Sequence, residues 1–134
     1  MSGVTGLGRD VVILACAVSA GIHGALASGH FAEGPGAGGG FVAATALLAL
    51  LAIALTRSPA SALLLAGAAF VLAGLILSYA LATTTGMPVL HPQPEPVDGL
   101  ALATRAIEAV GLLAATSLLW HPAVTHPQPK GTTT

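Results

Sequence analysis

Long apolar stretches, each bounded by charged or helix-breaking residues, are the main pattern along this chain of 134 residues. An α-helix needs about 20 mostly apolar residues to cross the hydrocarbon core, because each residue adds about 1.5 Å. Four stretches reach that length, at residues 11–31, 38–56, 60–82 and 98–120. The pattern predicts an all-α, polytopic membrane protein whose four transmembrane helices form one bundle, with residues 1–134 as a single membrane domain.

Residues that disfavour helices separate these stretches. A Gly-Pro-Gly run lies at 34–36, and Ser58-Pro59 leads into the third stretch, where proline suits the first turn of a helix. The loop 83–97 holds four prolines, so we expect an extended, polyproline-like conformation there. The tail 121–134 is short and polar, which predicts disorder.

Composition supports a lipid environment. Charged residues make up 7% of the chain and hydrophobic residues 54%, whereas a soluble domain carries roughly 25% charged residues. The net charge of −1 argues against nucleic acid as a partner. With Cys16 as the one cysteine, no disulfide forms within the chain, and we expect Cys16 to be a small buried apolar residue.

The few positive charges predict the orientation in the membrane. One side of the four-span arrangement carries Arg9, Arg57 and Lys130, and the other carries Glu33, Glu95 and Asp98. The positive-inside rule then predicts a multi-pass protein of the plasma (inner) membrane with both termini in the cytoplasm. Trp120 and Tyr79 are predicted near opposite interfaces, where amphipathic rings are favoured.

The first apolar stretch has an alternative interpretation as a cleaved signal peptide. Arg9, the apolar run and the Ala-Leu-Ala sequence at 25–27 are typical of the three regions of such a segment. His23 and the two glycines shortly before the cleavage sequence disfavour processing. We therefore expect this segment to be retained as a transmembrane helix.

Three ionisable residues, His23, Arg105 and Glu108, lie inside the predicted spans, where an unpaired charge costs several kcal/mol. His23 lies seven residues before His30 at the outer surface, and Arg105 lies seven residues after Asp98, so both are about 10 Å deep. Glu108 lies one turn deeper, at i+3 from Arg105, and can pair with it. If the first and fourth helices are neighbours, the three predict an outward-facing polar pocket.

Small residues favour contact between the first and fourth helices, because small-xxx-small spacing lets membrane helices approach closely. Cys16, His23 and His30 recur every seven residues and form one stripe, with Ser19 one turn from His23. The small residues beside the two stripes are Ala17, Gly21, Gly24 and Ser28 on the first helix and Thr104, Gly111 and Ala115 on the fourth.

Imidazole and carboxylate groups at one level predict a bound metal ion or small cation, because they suit zinc, copper, iron or nickel. The predicted metal ligands are His23, His30, Glu33 and Glu108, and the nearby residues of the outer face are His91, Glu95 and Asp98. Haem is a weaker prediction, since the sequence offers no second histidine at the depth of His23.

The same residues have plainer interpretations. Arg105 and Glu108 can form a structural ion pair, and His23 can bond to Ser19 or to a backbone carbonyl. The chain can also be an accessory subunit of a respiratory or transport complex, or self-associate, with its Ala- and Gly-rich faces as docking surfaces. A transporter or proton relay needs an oligomer to enclose a path. An enzyme is less expected, because the sequence holds no nucleophile–base pair or phosphate loop.

Two segments, 20–34 and 83–113, resemble a group of short four-helix integral membrane proteins, common in actinobacteria, to which no activity is assigned. The group has a histidine in the first span, His and an acidic residue at its outer end, a Gly-hydrophobic-Pro loop with a Glu-Pro pair, and a glutamate in the last span. The matching positions are His23, His30, Glu33, Gly86-Met87-Pro88, Glu95-Pro96 and Glu108. The resemblance implies a four-helix membrane fold and no particular activity.

Overall fold

The computed structural model describes residues 2–87, 94 and 96–121, with side chains from Thr5 onward. This part of the chain forms α1 (Ser2–Glu33), α2 (Pro35–Arg57), α3 (Ala62–Thr84) and α4 (Gly99–Trp120). All four helices are long and apolar enough to cross a membrane. The prediction of an all-α protein with four helices of spanning length is confirmed.

The four helices pack as a bundle around a small apolar core. α1 packs on α2 and α4, and α3 packs on α4 and less extensively on α2. Leu48, Leu72 and Cys16 are fully buried in this core, as predicted for the cysteine. Many large apolar side chains point outward instead, among them Leu14, Leu50, Leu63, Phe70 and Leu113. Lipid chains are the solvent that suits such a surface.

α1 is longer than predicted, since it begins at Ser2 rather than near Val11. Its first turns contain glycines, which disfavour a helix on their own. At Gly8 the helix packs against α4: a Cβ there would lie 3.4 Å from Leu118 Cδ2, an ordinary van der Waals distance. Tertiary contact of this kind, rather than local propensity, supplies most of the stability of a helix.

The other helix ends also differ from the prediction by a few residues. α2 begins at Pro35, and α3 begins after the N-cap Ser61, whose Oγ accepts a hydrogen bond from Leu64 N at 3.3 Å. The predicted entry of α3 through Ser58-Pro59 is therefore wrong. Asp98 is the N-cap of α4 and accepts a hydrogen bond from Ala101 N at 2.7 Å.

Only part of the predicted long loop is described. Residues 83 and 84 belong to α3, and Gly86, with φ of 70°, adopts the left-handed conformation that glycine supplies after a helix end. The predicted conformations of 88–93 and 122–134 lie outside the described residues, as do His91, Glu95 and Lys130.

α1 and α4 approach each other closely at Gly111. A Cβ built on Gly111 would lie 2.5 Å from Ala15 Cβ and 3.1 Å from Leu72 Cδ1. The small residues predicted on α4 are buried there as expected: Thr104, Gly111 and Ala115. The small-residue face predicted on α1 is wrong, because Ala17, Gly21 and Ser28 are exposed and Gly24 meets Thr45 of α2.

We expect Gly111→Ala to destabilise the bundle by about 1–3 kcal/mol, because the added methyl group overpacks the α1–α4 contact. The matched control is Gly74→Ala on α3, where a Cβ would meet nothing within 4 Å and alanine favours the helix. Unfolding by sodium dodecyl sulfate in mixed micelles, followed by far-ultraviolet circular dichroism, measures the difference. Restoring space with Ala15→Gly should recover stability in the double variant, and equal stability of the two single variants would contradict the close approach.

Candidate functional site

The most buried charged group of the described chain is Glu108, whose side chain has no exposed surface. Its Oε1 accepts a hydrogen bond from Ser19 Oγ of α1 at 2.6 Å. Its Oε2 lies 2.7 Å from Arg105 Nη1, which confirms the ion pair predicted from the i+3 spacing. Oε2 accepts no well-aligned hydrogen bond from the described residues, so this contact is mainly coulombic. The carboxylate therefore joins α1 to α4 inside the bundle.

Arg105 extends the same polar cluster to α3. Its Nη1 donates a hydrogen bond to the backbone oxygen of Leu75 at 2.9 Å. Its guanidinium carbon lies 5.1 Å from the centroid of the Tyr79 ring, within the range of a cation–π contact. A guanidinium at membrane depth needs partners of this kind. The polar cluster of Ser19, Arg105 and Glu108 thus ties α1, α3 and α4 together.

His23 lies next to this cluster, one helical turn from Ser19. Its Nδ1 lies 2.9 Å from Ser19 O and 3.3 Å from Ser19 Oγ. Because a carbonyl oxygen only accepts, Nδ1 carries the hydrogen, and Nε2 of the uncharged ring is then an acceptor. The bond from His23 to a backbone carbonyl, one of the two plain interpretations, is present, and Nε2 remains available for a ligand.

An aromatic side chain of α2, Phe41, lies against both imidazoles of α1. The His30 ring stacks on Phe41 with 3.7 Å between ring centroids, and the His23 ring lies 5.3 Å away from it. His30 Nδ1 also donates to Leu26 O at 3.0 Å. Sequence reasoning missed Phe41, because a phenylalanine inside an apolar run carries no signal of its position relative to another helix.

The structure does not bring the four predicted metal ligands together. No group of three or more His, Cys, Asp or Glu side chains is placed to hold a metal ion within the residues that the structure describes. Glu108 is committed to the polar cluster, and Glu33 is exposed at the end of α1. His23 and His30 both pack against Phe41, and each Nδ1 is bonded to a backbone oxygen of α1. Metal binding itself stays a prediction.

Two cavities lie beside His23 and Arg105. The first, here called the α2–α3 cavity, has a volume of about 180 Å³ and takes most of its wall from α2 and α3. The second has a volume of about 130 Å³ and lies between α1 and α4, near Asp98. Both cavities are lined by His23, Phe41, Tyr79 and Arg105. Of the three residues predicted to form one pocket, His23 and Arg105 lie together in the wall that the two cavities share. Glu108 lines neither of these cavities.

Two side chains in this common wall keep polar atoms without a partner. Tyr79 Oη and Arg105 Nε are buried and have no hydrogen-bond partner among the described residues. Leaving such an atom unpaired costs about 1–3 kcal/mol.

The contact between Tyr79 and Arg105 was not predicted, because the sequence places Tyr79 at the membrane interface. An apolar helix with one tyrosine gives no indication of which neighbour the ring will meet.

No protein-family model, curated protein or solved structure matches this chain. What the site can do therefore follows from its own groups. They are a histidine and an arginine in the wall of a mostly apolar cavity between helices of spanning length.

Proposed function

We propose that this protein is an intramembrane binding protein whose α2–α3 cavity holds a small organic ligand beside His23 and Arg105. The observation that carries the proposal is a cavity of about 180 Å³ with both polar residues in its wall. A dry cavity of about 150 Å³ is large enough to bind benzene. Mostly apolar pockets with a few convergent polar groups are typical ligand sites.

The site favours an organic ligand over the metal ion or small cation that the sequence predicts. Protein metal sites of the zinc type use three or four protein ligands, whereas His23 alone faces the cavity as a ligand of that kind. A cation in the cavity would also lie close to the guanidinium of Arg105, which repels it. An uncharged or weakly polar molecule meets neither difficulty.

The proposal is tested on protein extracted in a mild detergent and released in a mass spectrometer under native conditions. We expect one small molecule per chain in the wild type. We expect its loss in Ala44→Leu, because Ala44 is a buried wall residue and a larger side chain there fills the cavity. The matched control is Ala103→Leu, which places the same side chain on an exposed position of α4 and should retain the ligand.

Other outcomes of this experiment point elsewhere. The same small molecule in wild type and Ala44→Leu, or none in either, would contradict the proposal. Stoichiometric metal that disappears in His23→Ala would support the metal prediction instead. A second polypeptide that remains bound would support the accessory-subunit interpretation.

We further propose that the protein lies in the plasma membrane with both termini in the cytoplasm. Arg9 and Arg57 lie at one end of the bundle, and Glu33 and Asp98 lie at the other, which is the charge asymmetry that the positive-inside rule uses. A fluorescent protein fused to the C-terminus should fluoresce, whereas alkaline phosphatase at the same place should be inactive. The reverse pair of results would overturn this orientation.

A further inference from the structure

We infer that the ligand of the α2–α3 cavity is one hydrocarbon chain of a membrane lipid, which comes from the leaflet at the end of the bundle that carries Glu33 and Asp98. The inference rests on the proposed function and narrows its ligand to one chemical class. It follows from the shape of the cavity along the two helices, the engaged polar groups of its wall, and the side and depth from which it is reached.

The cavity follows the axes of two antiparallel helices. The positions that line it are 37, 40, 41 and 44 on α2 and 75, 78, 79 and 82 on α3. In each helix they are spaced by three, four and seven residues, so they share one face and cover two turns, or about 10 Å. Counting across the connection 58–61 sets Ala37 opposite Ala82 and Ala44 opposite Leu75. A space of this shape accommodates an extended chain parallel to the helices.

The polar residues of the wall are largely engaged within the protein. Ser78 Oγ donates to a backbone oxygen of its own helix at 2.7 Å, and His23 bonds through Nδ1 to the backbone of α1. Arg105 Nη1 contacts Glu108 and a backbone oxygen of α3. Arg105 Nε and Tyr79 Oη are buried too deeply to reach an occupant. Because a hydrocarbon chain needs no hydrogen bond, it leaves all these contacts in place.

The cavity is reached from the bilayer, through the space between α2 and α3. These two neighbours pack on each other less extensively than either packs on its other neighbour. The exposed Gly40 belongs to the wall, so the cavity reaches the side of the bundle that faces lipid. An empty space there would forfeit the van der Waals contacts that its apolar wall can make. A lipid chain beside the bundle can supply these contacts without crossing the polar cluster.

The depth of the cavity selects the leaflet. Ala37 and Ala82 lie two residues from the ends of α2 and α3 at the end of the bundle that carries Asp98. Ala44 and Leu75 lie two turns further in, near the middle of both helices. The cavity therefore begins near one membrane surface and ends near the middle of the bilayer. A lipid of that leaflet has its head group at the surface and its chain end beside Leu75.

The test is photo-crosslinking in nanodiscs that contain phosphatidylcholine with a diazirine on one acyl chain, followed by peptide mass spectrometry. A diazirine next to the ester should label the wall at Ala82, and a diazirine at the chain end should label it at Leu75. Ala44→Leu should abolish the labelling of Leu75 by the chain-end probe, because the larger side chain fills the deep half of the cavity. Leu77 and Leu81, which are exposed on α3 at the same depth, should stay labelled.

The matched control is Ala103→Leu on the exposed face of α4, which should keep the labelling of Leu75. The order of labelling along the wild-type wall tests the inference without any variant, and the reverse order would overturn it. Labelling of Leu75 that Ala44→Leu leaves unchanged, or no labelling of the wall, would also overturn the lipid chain as ligand. A different small molecule that native mass spectrometry finds in wild type and not in Ala44→Leu would then leave the proposed function standing. No bound molecule in either would overturn both proposals.

Discussion

Replacing Glu108 with glutamine should destabilise the bundle by about 3–5 kcal/mol, the usual consequence of removing one member of a buried ion pair. The glutamine keeps the size of the side chain and can still accept a hydrogen bond from Ser19. It no longer balances Arg105, whose side chain is 17% exposed and whose Nη1 lies 2.7 Å from the carboxylate in the wild type. Unfolding by sodium dodecyl sulfate in mixed micelles measures the loss.

A double variant separates the charge effect from a general disturbance of packing. Arg105→Met with Glu108→Gln removes both charges and keeps long side chains at both positions. We expect it to recover most of the stability that Glu108→Gln loses, because replacing both members of a buried pair is often neutral or stabilising. A double variant no more stable than Glu108→Gln would show that the ion pair is not the source of the effect.

Ser19→Ala should destabilise the bundle by about 1.5–3 kcal/mol, the range for a hydrogen bond to a charged group. Ser19 Oγ donates to Glu108 Oε1 at 2.6 Å and is the link between α1 and the carboxylate. The matched control is Ser117→Ala, because Ser117 Oγ donates to Leu113 O of its own helix at 2.7 Å and is exposed. The same unfolding assay applies, and an equal effect of the two substitutions would contradict the assigned role of Ser19.

The number of helices could be predicted because it depends on the length of apolar runs, which is a one-dimensional property. The ends of the helices depend on three-dimensional contacts and could not. In the early part of α1, Gly8 packs near Leu118, and these residues are 110 positions apart in the chain. α3 begins after the N-cap Ser61, a local feature that the sequence could have indicated. Ser58-Pro59, three residues earlier, is a second possible helix start in the sequence.

The candidate site was predictable where it depends on depth and on spacing within one helix. The pairing of Arg105 with Glu108 follows from i+3 geometry, and their level near His23 follows from counting residues. The rotation of each helix about its own axis was harder to predict from the sequence. Small residues are common on every face of α1, so Ala17 and Gly21 were as plausible a contact face as Ala15 and Ser19, which the structure shows facing α4.

The contributions of α2 and α3 to the site were not predictable from the sequence. Phe41 and Tyr79 line both cavities, yet nothing in the apolar runs around them indicates which neighbour they face. The Leu75 carbonyl that accepts from Arg105 is a backbone group, and every residue has one. The metal interpretation depended on residue types and on depth, and neither shows which way a side chain points. The described residues place Glu108 against Ser19 and Arg105 instead.

The polar cluster gives the helices unequal mechanical roles. Ser19, Arg105 and Glu108 cross-link α1, α3 and α4 by hydrogen bonds and an ion pair. At the level of this cluster, α2 meets its neighbours through the Phe41 ring and small side chains, and a single residue, Gly34, connects it to α1. The position of α2 therefore depends on apolar packing, most of it against α1, and not on the polar cluster. Substitutions in the cluster should loosen the contacts among α1, α3 and α4 and leave the α1–α2 contact in place.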